Sequence, residues 1–451
     1  MKLKAAILSI HFVLLATNAF SQKNEQTLKK INIGDRTPEY TLKNLINFDK
    51  PSVKFSTLRD KVVILDFWNF YCTACIKSWP KLIALQEQFK DKIQIILVNT
   101  ESNADQVKSF ITKQQKIHGY KMSLPVACGD TSLKRLFPHD SYPHVVYIDT
   151  SGIVRYKTTN VTAGLIQAVL DNKKFNIPSV SDDYVSVNWS LPFCFDAESS
   201  PDTFKVNSIL TSIIFPYSPK IRPGAEFVDS TLNILNGRTY GVMSNWPLES
   251  MFRYLYGREY NFVHHIFSIP KSKLVFKNVD TSRLVRMVEG IPRSENLYTI
   301  QLTARNNITI DGVRRKMIMD LEQNFSLKTY WEKQKKLCLV IAATNLPIPK
   351  YEKGLDSLNI GGKILDFNNI TMLDLIDRLT YFTPSLKSYP VVDETKFYGK
   401  LGRIRLTKTD VINHTKLGEA LSKHGMTITL QEREVDMLVI ERDDAADQKK
   451  Q

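Results

Sequence analysis

Cysteine is scarce in this chain of 451 residues, which carries five, at positions 72, 75, 128, 194 and 338. So few cysteines, this widely scattered, exclude a small fold held together by disulfides. The pair Cys72 and Cys75 has no second Cys-x-x-Cys and no His-x-x-x-His spacing to accompany it. A zinc site needs such a second pair of ligands, and the sequence therefore predicts no metal centre.

Long apolar runs are also lacking after the first residues. The chain begins MKLKAAILSIHFVLLATNAFSQ, in which two lysines precede an apolar stretch that is short for a membrane span and gives way to small and polar residues. This layout is typical of a secretory signal peptide. We expect residues 1–21 to be cleaved, which leaves a periplasmic protein with no stable membrane span; an uncleaved anchoring helix is the alternative.

No dense block of lysine and arginine with interleaved aromatic residues occurs in the sequence. Without Lys2 and Lys4, 59 basic residues stand against 46 acidic ones, a formal net charge of +13 that is spread along the chain. Nucleic-acid binding is therefore not predicted. Solubility, or a loose attraction to anionic surfaces of the cell envelope, accounts for such a spread of charge.

The first half of the sequence alternates between strand and helix patterns. KVVILDFW and IQIILVN are apolar without polar alternation, as in strands buried on both faces. Helices are predicted over residues 73–89 and 104–117, and HVVYID followed by IVRYK predicts two strands joined by a tight turn. The alternation predicts an α/β fold, with a mixed sheet covered by helices on both faces.

Cys72 follows the first buried strand and precedes the first helix. Free backbone N–H groups at a helix N-terminus favour a negative neighbour, so a thiolate at Cys72 is stabilised there and can attack a disulfide. Cys75, one turn further on, is near enough to close a ring on Cys72 and release a mixed disulfide. A purely structural disulfide is the alternative, although closing so short a loop removes few unfolded conformations.

These residues resemble the thioredoxin family, and specifically the TlpA-like exported thiol:disulfide oxidoreductases of bacterial envelopes. The resemblance covers residues 30–174 and rests on IGDRTPEYTL, KVVILDFWNFYCTACIKSWP and SYPHVVYIDTSG, which come in the family's order. It implies a thioredoxin fold, a redox-active disulfide between Cys72 and Cys75 in place of any cofactor, and a cis bond between Tyr142 and Pro143.

The resemblance also implies roles for individual side chains. Cys72 is the expected nucleophile and Cys75 the resolving thiol, and Asp66 is expected to take the proton of Cys75 unless it faces solvent at its strand end. The expected substrate-binding residues flank the cysteines or form the later proline loop: Trp68, Tyr71, Thr73, Ala74, Tyr142 and Pro143. His144 either contacts the thiolate or is a neutral histidine of its strand.

The dipeptide between the cysteines differs from the family's usual pairs. Thr73 and Ala74 replace Gly-Pro or another proline-containing pair, and this dipeptide tunes the reduction potential. The sequence therefore leaves open whether the protein reduces or oxidises its substrate. Peroxiredoxins share the fold and are a lesser alternative, but the proline and hydroxyl that precede their reactive cysteine are absent, and Cys75 favours disulfide exchange.

The second half of the sequence predicts a different architecture. Residues 175–205 are predicted to be a polar linker, residues 206–445 an α+β domain, and residues 446–451 a polar tail. Residues 313–343 and 415–442 share the order helix, strand, charged turn and apolar strand, which indicates an internal duplication. This half resembles a domain of unknown function found in exported proteins of Bacteroidetes and Acidobacteria.

Two hypotheses of function remain. In the first, the protein is a periplasmic thiol:disulfide oxidoreductase that reduces or exchanges disulfides of envelope proteins and is reset by a membrane thiol reductase. In the second, it is an envelope interaction protein whose C-terminal domain is the main actor, through exposed sheet edges that accept a partner strand, with the thioredoxin unit as a redox sensor.

Overall fold

The computed structural model describes residues 29–180, 184–189, 210–228, 238–260, 265–305, 308–343, 357–359 and 364–444. The predicted signal peptide, the predicted tail, much of the predicted linker and Cys194 lie outside these residues. The chain divides into two units. The first unit runs to Tyr184 and includes Met287–Ser294, and the second comprises Val185–Arg286 and the chain from Glu295 onward.

The first unit contains strands that alternate with helices. Its strands are β1 (Thr41–Leu42), β2 (Leu45–Ile46), β3 (Val53–Lys54), β4 (Val62–Phe67), β5 (Ile93–Asn99), β6 (Val126–Cys128), β7 (His144–Ile148) and β8 (Val154–Thr158). Its helices are α1 (Thr73–Phe89), α2 (Ala104–His118), α3 (Thr131–Leu136) and α4 (Ala163–Leu170). The predicted alternation of buried strands and helices is confirmed for this part of the chain.

Six of these strands form one mixed sheet in the order β2-β6-β5-β4-β7-β8. β4 lies inside the sheet, parallel to β5 and antiparallel to β7, and all its residues are buried. A strand buried on both faces needs apolar side chains in both directions, which explains the unbroken apolar run that begins at Val62. Side chains of α1 and α4 pack on one face and those of α3 on the other, which gives a thioredoxin-like fold.

The second unit is mostly strands among its described residues, where the sequence predicts an α+β domain. Its strands are β9 (Leu210–Pro216), β10 (Gly224–Val228), β11 (Arg238–Pro247), β12 (Arg258–Tyr260), β13 (His265–Phe267), β14 (Leu274–Lys277), β17 (Leu297–Arg305), β18 (Leu327–Ala343), β19 (Ser357–Asn359), β20 (Ile364–Asn368), β21 (Ile370–Thr371), β22 (Val391–Asp393), β23 (Lys400–Leu401), β24 (Ile404–Thr407) and β25 (Met426–Arg442). Its helices are α5 (Leu248–Leu255), α6 (Ile310–Phe325), α7 (Met372–Phe382) and α8 (His414–Ser422). The two strands missing from this series, β15 (Met287–Val288) and β16 (Ile291–Pro292), belong to the first unit.

The prediction of a charged turn inside each repeated segment is wrong. β18 and β25 are single strands of 17 residues each, and they pair antiparallel along their whole length. Their charged residues face each other across the pair, with Lys333 opposite Asp436 and Lys335 opposite Glu434. Opposite charges directly across a sheet stabilise the pairing, so a run of charge that resembles a turn in the sequence continues the strand.

β25 and β18 are the central strands of a four-stranded sheet in the order β14-β25-β18-β22. The two short outer strands are each parallel to their neighbour. Two further sheets have the orders β10-β11-β17-β9 and β19-β20-β24. One apolar core combines α5 and α6 with the Leu327 end of β18, and another combines α7 and α8 with the Ile341 end. The two long strands therefore connect two separate cores.

A hairpin of β15 and β16 completes the first unit, although it comes long after the rest of that unit in the chain. Ile291 of the hairpin is 7% exposed and lies in the same core as residues of α1 and α4. The N–H of Ser294 donates a hydrogen bond to Asn176 O at 3.0 Å. Gly164, in the first turn of α4, permits the close approach, because a Cβ at that position would lie 2.7 Å from Glu289 O.

We expect Gly164→Ala to destabilise the protein by about 1–3 kcal/mol, because the new methyl group would overlap the backbone of the hairpin. The direction of the change in stability is informative, because replacing glycine by alanine in an unobstructed helix stabilises a protein by about 1 kcal/mol. Gly418→Ala in α8 is the matched control, because an added Cβ there meets only Ile428 Cβ, at 3.8 Å. Urea unfolding measures both variants, and equal stabilisation by both would contradict the docking of the hairpin.

Candidate active site

Cys72 lies where the central strand of the sheet gives way to a helix. β4 ends at Phe67, and after a short loop Cys72 caps α1, which begins at Thr73. Cys72 Sγ is bonded to Cys75 Sγ, and the backbone N–H of Cys75 donates a hydrogen bond to Cys72 Sγ at 3.1 Å. The N–H of Cys72 donates to Asn69 O at 3.2 Å, which holds the loop. The disulfide is thus fixed by the sheet on one side and by the helix on the other.

The two sulfur atoms differ in access. Cys72 is 9% exposed and Cys75 is fully buried, so a substrate can reach only Cys72. In the reduced protein, the free N–H groups of the first turn and the dipole of this 17-residue helix would stabilise a negative charge on Cys72 Sγ. Cys128 differs, because burial raises its pKa to about 11. Its thiol is therefore a poor nucleophile near neutral pH.

Asp66 lies on the face of β4 that packs against the core of Cys75. Its side chain is 2% exposed, which excludes the alternative that it faces solvent. By the alternation of the strand it shares this face with Ile64 and Trp68, which belong to the same core as Cys75. Burial raises the pKa of Asp66 to about 7, because a charged carboxylate loses its hydration there. Such a carboxyl group can accept and return a proton near neutral pH.

The proline loop lies between α3 and β7. The bond between Tyr142 and Pro143 is cis, as the resemblance implies, and both residues are partly exposed. Tyr142 Oη donates a hydrogen bond at 3.1 Å to Oε1 of Glu101, which follows β5. Lys134 Nζ lies 3.9 Å from the same oxygen. Because β4 and β5 end, and β7 begins, at one edge of the sheet, the loop and the disulfide share that edge.

The remaining residues that the sequence assigns to substrate binding fall into two groups. Tyr71, Thr73 and Ala74 are exposed, and at 90% exposure Tyr71 is fully available to a bound polypeptide. Trp68 is fully buried, and its ring meets the ring of Trp79 edge-on with the centroids 4.8 Å apart. Trp68 can therefore influence a substrate only through the residues that cover it.

His144 does not face the cysteines. It is fully buried and stacks on His139, with the ring centroids 4.8 Å apart, on the face of the sheet that also carries Val146 and Ile148. Burial, with the neighbouring His139 and Lys157, holds the pKa of His144 well below its usual range. The alternative of a neutral histidine in the strand is therefore the correct one.

Two residues at this edge of the sheet were not predicted from the sequence. Glu101 accepts the hydrogen bond of Tyr142, and the His139 ring meets the Tyr142 ring edge-on with the centroids 4.9 Å apart. Both come from loops, and no spacing in the sequence connects them to the cysteines. A signal existed for Glu101, because it lies just beyond the carboxyl end of a buried strand, where functional side chains of α/β sheets gather.

Residues 33–157 match the model of the AhpC/TSA family. Over 131 residues the chain is 27% identical to the thioredoxin-like protein YneN of Bacillus subtilis, a match that covers 28% of this chain and 70% of YneN. Over 149 residues it is 28% identical to the thiol-disulfide oxidoreductase ResA of Oceanobacillus iheyensis, which covers 32% of this chain and 74% of ResA. The first unit is thus similar to thioredoxin-like thiol-disulfide oxidoreductases.

A solved structure, the putative thiol:disulfide interchange protein DsbE from Chlorobium tepidum, is 23% identical to this chain. The match covers 32% of this chain and 95% of that one, with a TM-score of 0.26. The thioredoxin-like fold of the first unit is assigned from its strand order and from the packing of its helices. None of the helices in the described parts of the chain has the length and apolar character that a membrane crossing requires.

We expect Asp66→Asn to remove a pH-dependent loss of stability from the oxidised protein. The carboxyl group titrates near pH 4 in an unfolded chain but has a pKa of about 7 when folded, so the folded state binds the extra proton between those values. The wild type should therefore lose up to about 4 kcal/mol as the pH rises from about 4 to about 8, with little further loss above that. Urea unfolding across this pH range measures the effect.

The control for this experiment is Asp60→Asn, at an exposed carboxyl group of the same unit. Its stability should follow that of the wild type at every pH. If the difference between wild type and Asp66→Asn stays constant from pH 4 to pH 8, the buried carboxyl group does not titrate as described.

Proposed function

We propose that this protein is an exported thiol:disulfide oxidoreductase that acts on disulfides of other proteins through Cys72 and Cys75. The chain is an oxidoreductase, with a thioredoxin-like fold in its first unit and relatives named as thiol-disulfide oxidoreductases. One observation carries the proposal. Cys72 Sγ, the sulfur of the pair that a substrate can reach, lies at the N-terminus of a long helix. The cis-proline loop lies at the same edge of the sheet, and the buried carboxyl group of Asp66 lies beside the core that contains Cys75.

The proposed cycle begins with the reduced pair. The Cys72 thiolate attacks one sulfur of a substrate disulfide, a mixed disulfide forms, and the other substrate sulfur leaves as a thiolate. Cys75 then loses its proton to the Asp66 carboxylate and attacks Cys72 Sγ, which closes the Cys72–Cys75 bond and releases the second substrate thiolate. Two electrons pass to the substrate, and its two thiolates take up two protons, one given back by Asp66 and one from the solvent, which received the proton that Cys72 lost when it ionised.

Asp66 is assigned the proton transfer because Cys75 is shielded from water. A buried thiol ionises only if a neighbouring group takes its proton, and the carboxylate form of Asp66 is available at and above about pH 7. We assign contact with the substrate chain to the exposed residues Tyr71, Thr73 and Ala74 and to the proline loop, where the backbone of Tyr142 can pair with an extended segment.

We place this activity in the periplasm, with disulfide-containing envelope proteins as substrates and a membrane thiol reductase as electron donor. The layout of residues 1–21 supports export, and disulfides persist in that compartment. A donor is needed because each reducing cycle leaves the Cys72–Cys75 pair oxidised. The closed disulfide favours exchange over the lesser alternative, peroxide reduction.

We also infer that the second unit arose by internal duplication. Each half supplies a helix followed by a long strand: α6 with β18, and α8 with β25. Each half also supplies an earlier helix and a short strand: α5 and β14, which are separated by β12 and β13, in the first half, and α7 and β22 in the second. Each short strand pairs parallel to the long strand of the other half. This exchange of strands between two similarly ordered halves supports the inference.

We expect the protein to accelerate the reduction of insulin disulfides by dithiothreitol, and Cys72→Ser to abolish the acceleration, because Cys75 is buried and cannot attack insulin in its place. Cys128→Ala is the control, since this thiol is buried and lies outside the pair, and it should retain the wild-type rate. The turbidity of precipitating insulin measures the rates. A wild type no faster than Cys72→Ser would favour the hypothesis of an interaction protein.

We expect Cys75→Ala to accumulate a mixed disulfide between Cys72 and its substrate, because the resolving thiol is missing. Adducts from cells that express this variant should appear on a non-reducing gel and vanish with reductant, and mass spectrometry would identify the substrate. The double variant Cys72→Ser, Cys75→Ala is the control and should form none. Adducts of equal yield in both variants would show that Cys72 is not the nucleophile.

A further inference from the structure

β25 has a long edge on which no described strand pairs. On one side it pairs with β18 over all 17 residues, and on the other it pairs with β14 only through residues 438–441. Residues 426–437 have no strand on this second side within the described part of the chain. An unpaired strand edge can add an extended polypeptide as a further strand.

The register shows which backbone groups point out of this edge. The N–H of Leu339 donates to Pro390 O at 2.9 Å, and Ile341 O accepts from the N–H of Glu394 at 2.8 Å, so both residues of β18 point away from β25. In an antiparallel pair, two residues that lie opposite each other direct their N–H and C=O groups in the same sense, both toward the partner strand or both away from it. Leu430, opposite Leu339, therefore points its N–H and C=O out of the free edge of β25, and every second residue of the strand does the same.

A groove of 390 Å³ runs beside this edge, between α8 and residues 427–430 of β25; we call it the edge groove. Gly418 lines it from the helix side and leaves space, since even an added Cβ would meet its nearest atom at 3.8 Å. Ile428 and Leu430 line it from the strand side, and Leu430 is 40% exposed. The edge groove therefore combines unpaired backbone groups with room for an apolar side chain.

A row of carboxylates continues the same edge beyond the groove. Glu432, Glu434 and Asp436 are exposed, and by the alternation of the strand they share a face with Ile428 and Leu430. Their N–H and C=O groups also point out of the free edge of β25, because they follow Leu430 at every second residue of the strand. On the β18 side, Lys333 lies opposite Asp436 and Lys335 lies opposite Glu434, and Lys333 Nζ is 3.7 Å from Glu434 Oε1. Three successive outward positions of the edge therefore carry carboxylates, and Glu432 has the apolar Leu337 opposite it in place of a lysine.

We propose that the free edge of β25 binds an extended segment of a partner protein by strand addition. The segment places an apolar side chain in the edge groove over Gly418, and lysine or arginine at alternate positions opposite Glu432, Glu434 and Asp436. Hydrogen bonds from the backbone fix the strand, and the groove and the carboxylates select its sequence. This function is separate from disulfide exchange, because none of these residues belongs to the first unit.

Symmetric pairing of this edge with a second copy of the chain is disfavoured. Antiparallel pairing of β25 with itself centred on Glu434 would place the carboxylates of Glu432, Glu434 and Asp436 opposite one another, and like charges directly across a sheet are destabilising. A copy bound head to tail, which would offer Lys333 and Lys335 of its β18, is the competing occupant. Such an arrangement does not close and would grow with protein concentration.

The test uses the full mature chain and two fluorescein-labelled, end-blocked peptides, TLTKTKTKT and its reverse TKTKTKTLT, which cover both strand directions. Fluorescence anisotropy should show saturable binding of at least one of them. For a peptide that binds, the same sequence with glutamate in place of lysine should bind at least about ten-fold more weakly. N-methylation of one set of alternate peptide amides should abolish binding, and methylation of the other set should not, because only one edge of an added strand bonds to β25.

Two variants of the protein test the two parts of the site. Gly418→Leu should fill the groove and weaken binding by at least about ten-fold. The double charge reversal Glu434→Lys, Asp436→Lys should weaken binding of the lysine peptide and permit binding of the glutamate peptide. Glu87→Lys, Asp91→Lys makes the same change of net charge at exposed sites in the first unit and should leave binding unchanged. Thermal unfolding establishes that each variant is folded.

Three results would overturn the proposal. The first is the absence of saturable binding for both peptides, and the second is equal binding of the lysine and glutamate peptides. The third is concentration-dependent self-association in sedimentation velocity that disappears in Lys333→Glu, Lys335→Glu, which would assign the edge to a second copy of the chain. If either variant does not fold, the lysine and glutamate peptides and the two N-methylated sets, measured on the wild-type chain, still decide between these outcomes.

Discussion

Burial of β4 on both faces is the constraint on which the first unit depends. It requires helices on either side of the sheet, and it brings the end of β4 and the start of α1 to one edge, where Cys72 Sγ meets free amide groups. The same burial surrounds Asp66 and holds its carboxyl group near its titration point. The proposed chemistry and the stability of the core therefore come from one arrangement, in which a strand that stabilises the sheet also carries a group that is costly to ionise.

The second unit depends on a different constraint, the register of β18 against β25. A shift by one residue would turn Leu339 and Ile341 out of their core and separate the opposite charges at the middle of the pair. Apolar residues at both ends and charged residues in the middle therefore specify one pairing. The same alternation places Glu432, Glu434 and Asp436 along the outer edge of β25, so the pattern that selects the register also sets the charges that the proposed partner strand would meet.

The sequence predicted most of the first unit because its signals are local. An apolar run buried on both faces, a helix after the cysteines and a proline loop each lie within a few adjacent residues. The Glu101 carboxylate and the His139 ring reach the proline loop only through the order of strands in the sheet, which no short stretch encodes. In the second unit, the charged run around Lys333 and Lys335 resembles a turn in the sequence. The opposite charges with which these lysines pair, Glu434 and Asp436, come about a hundred residues later. That information lies in the pairing of distant segments.

The hairpin of β15 and β16 has a consequence for how the protein is made. Ile291 belongs to the core of the first unit, yet it is synthesised more than a hundred residues after α4. A chain that emerges from a ribosome beginning with its N-terminus therefore cannot complete that core until residue 294 is available. During this interval the apolar surface around Gly164 lacks the hairpin that covers it in the complete fold.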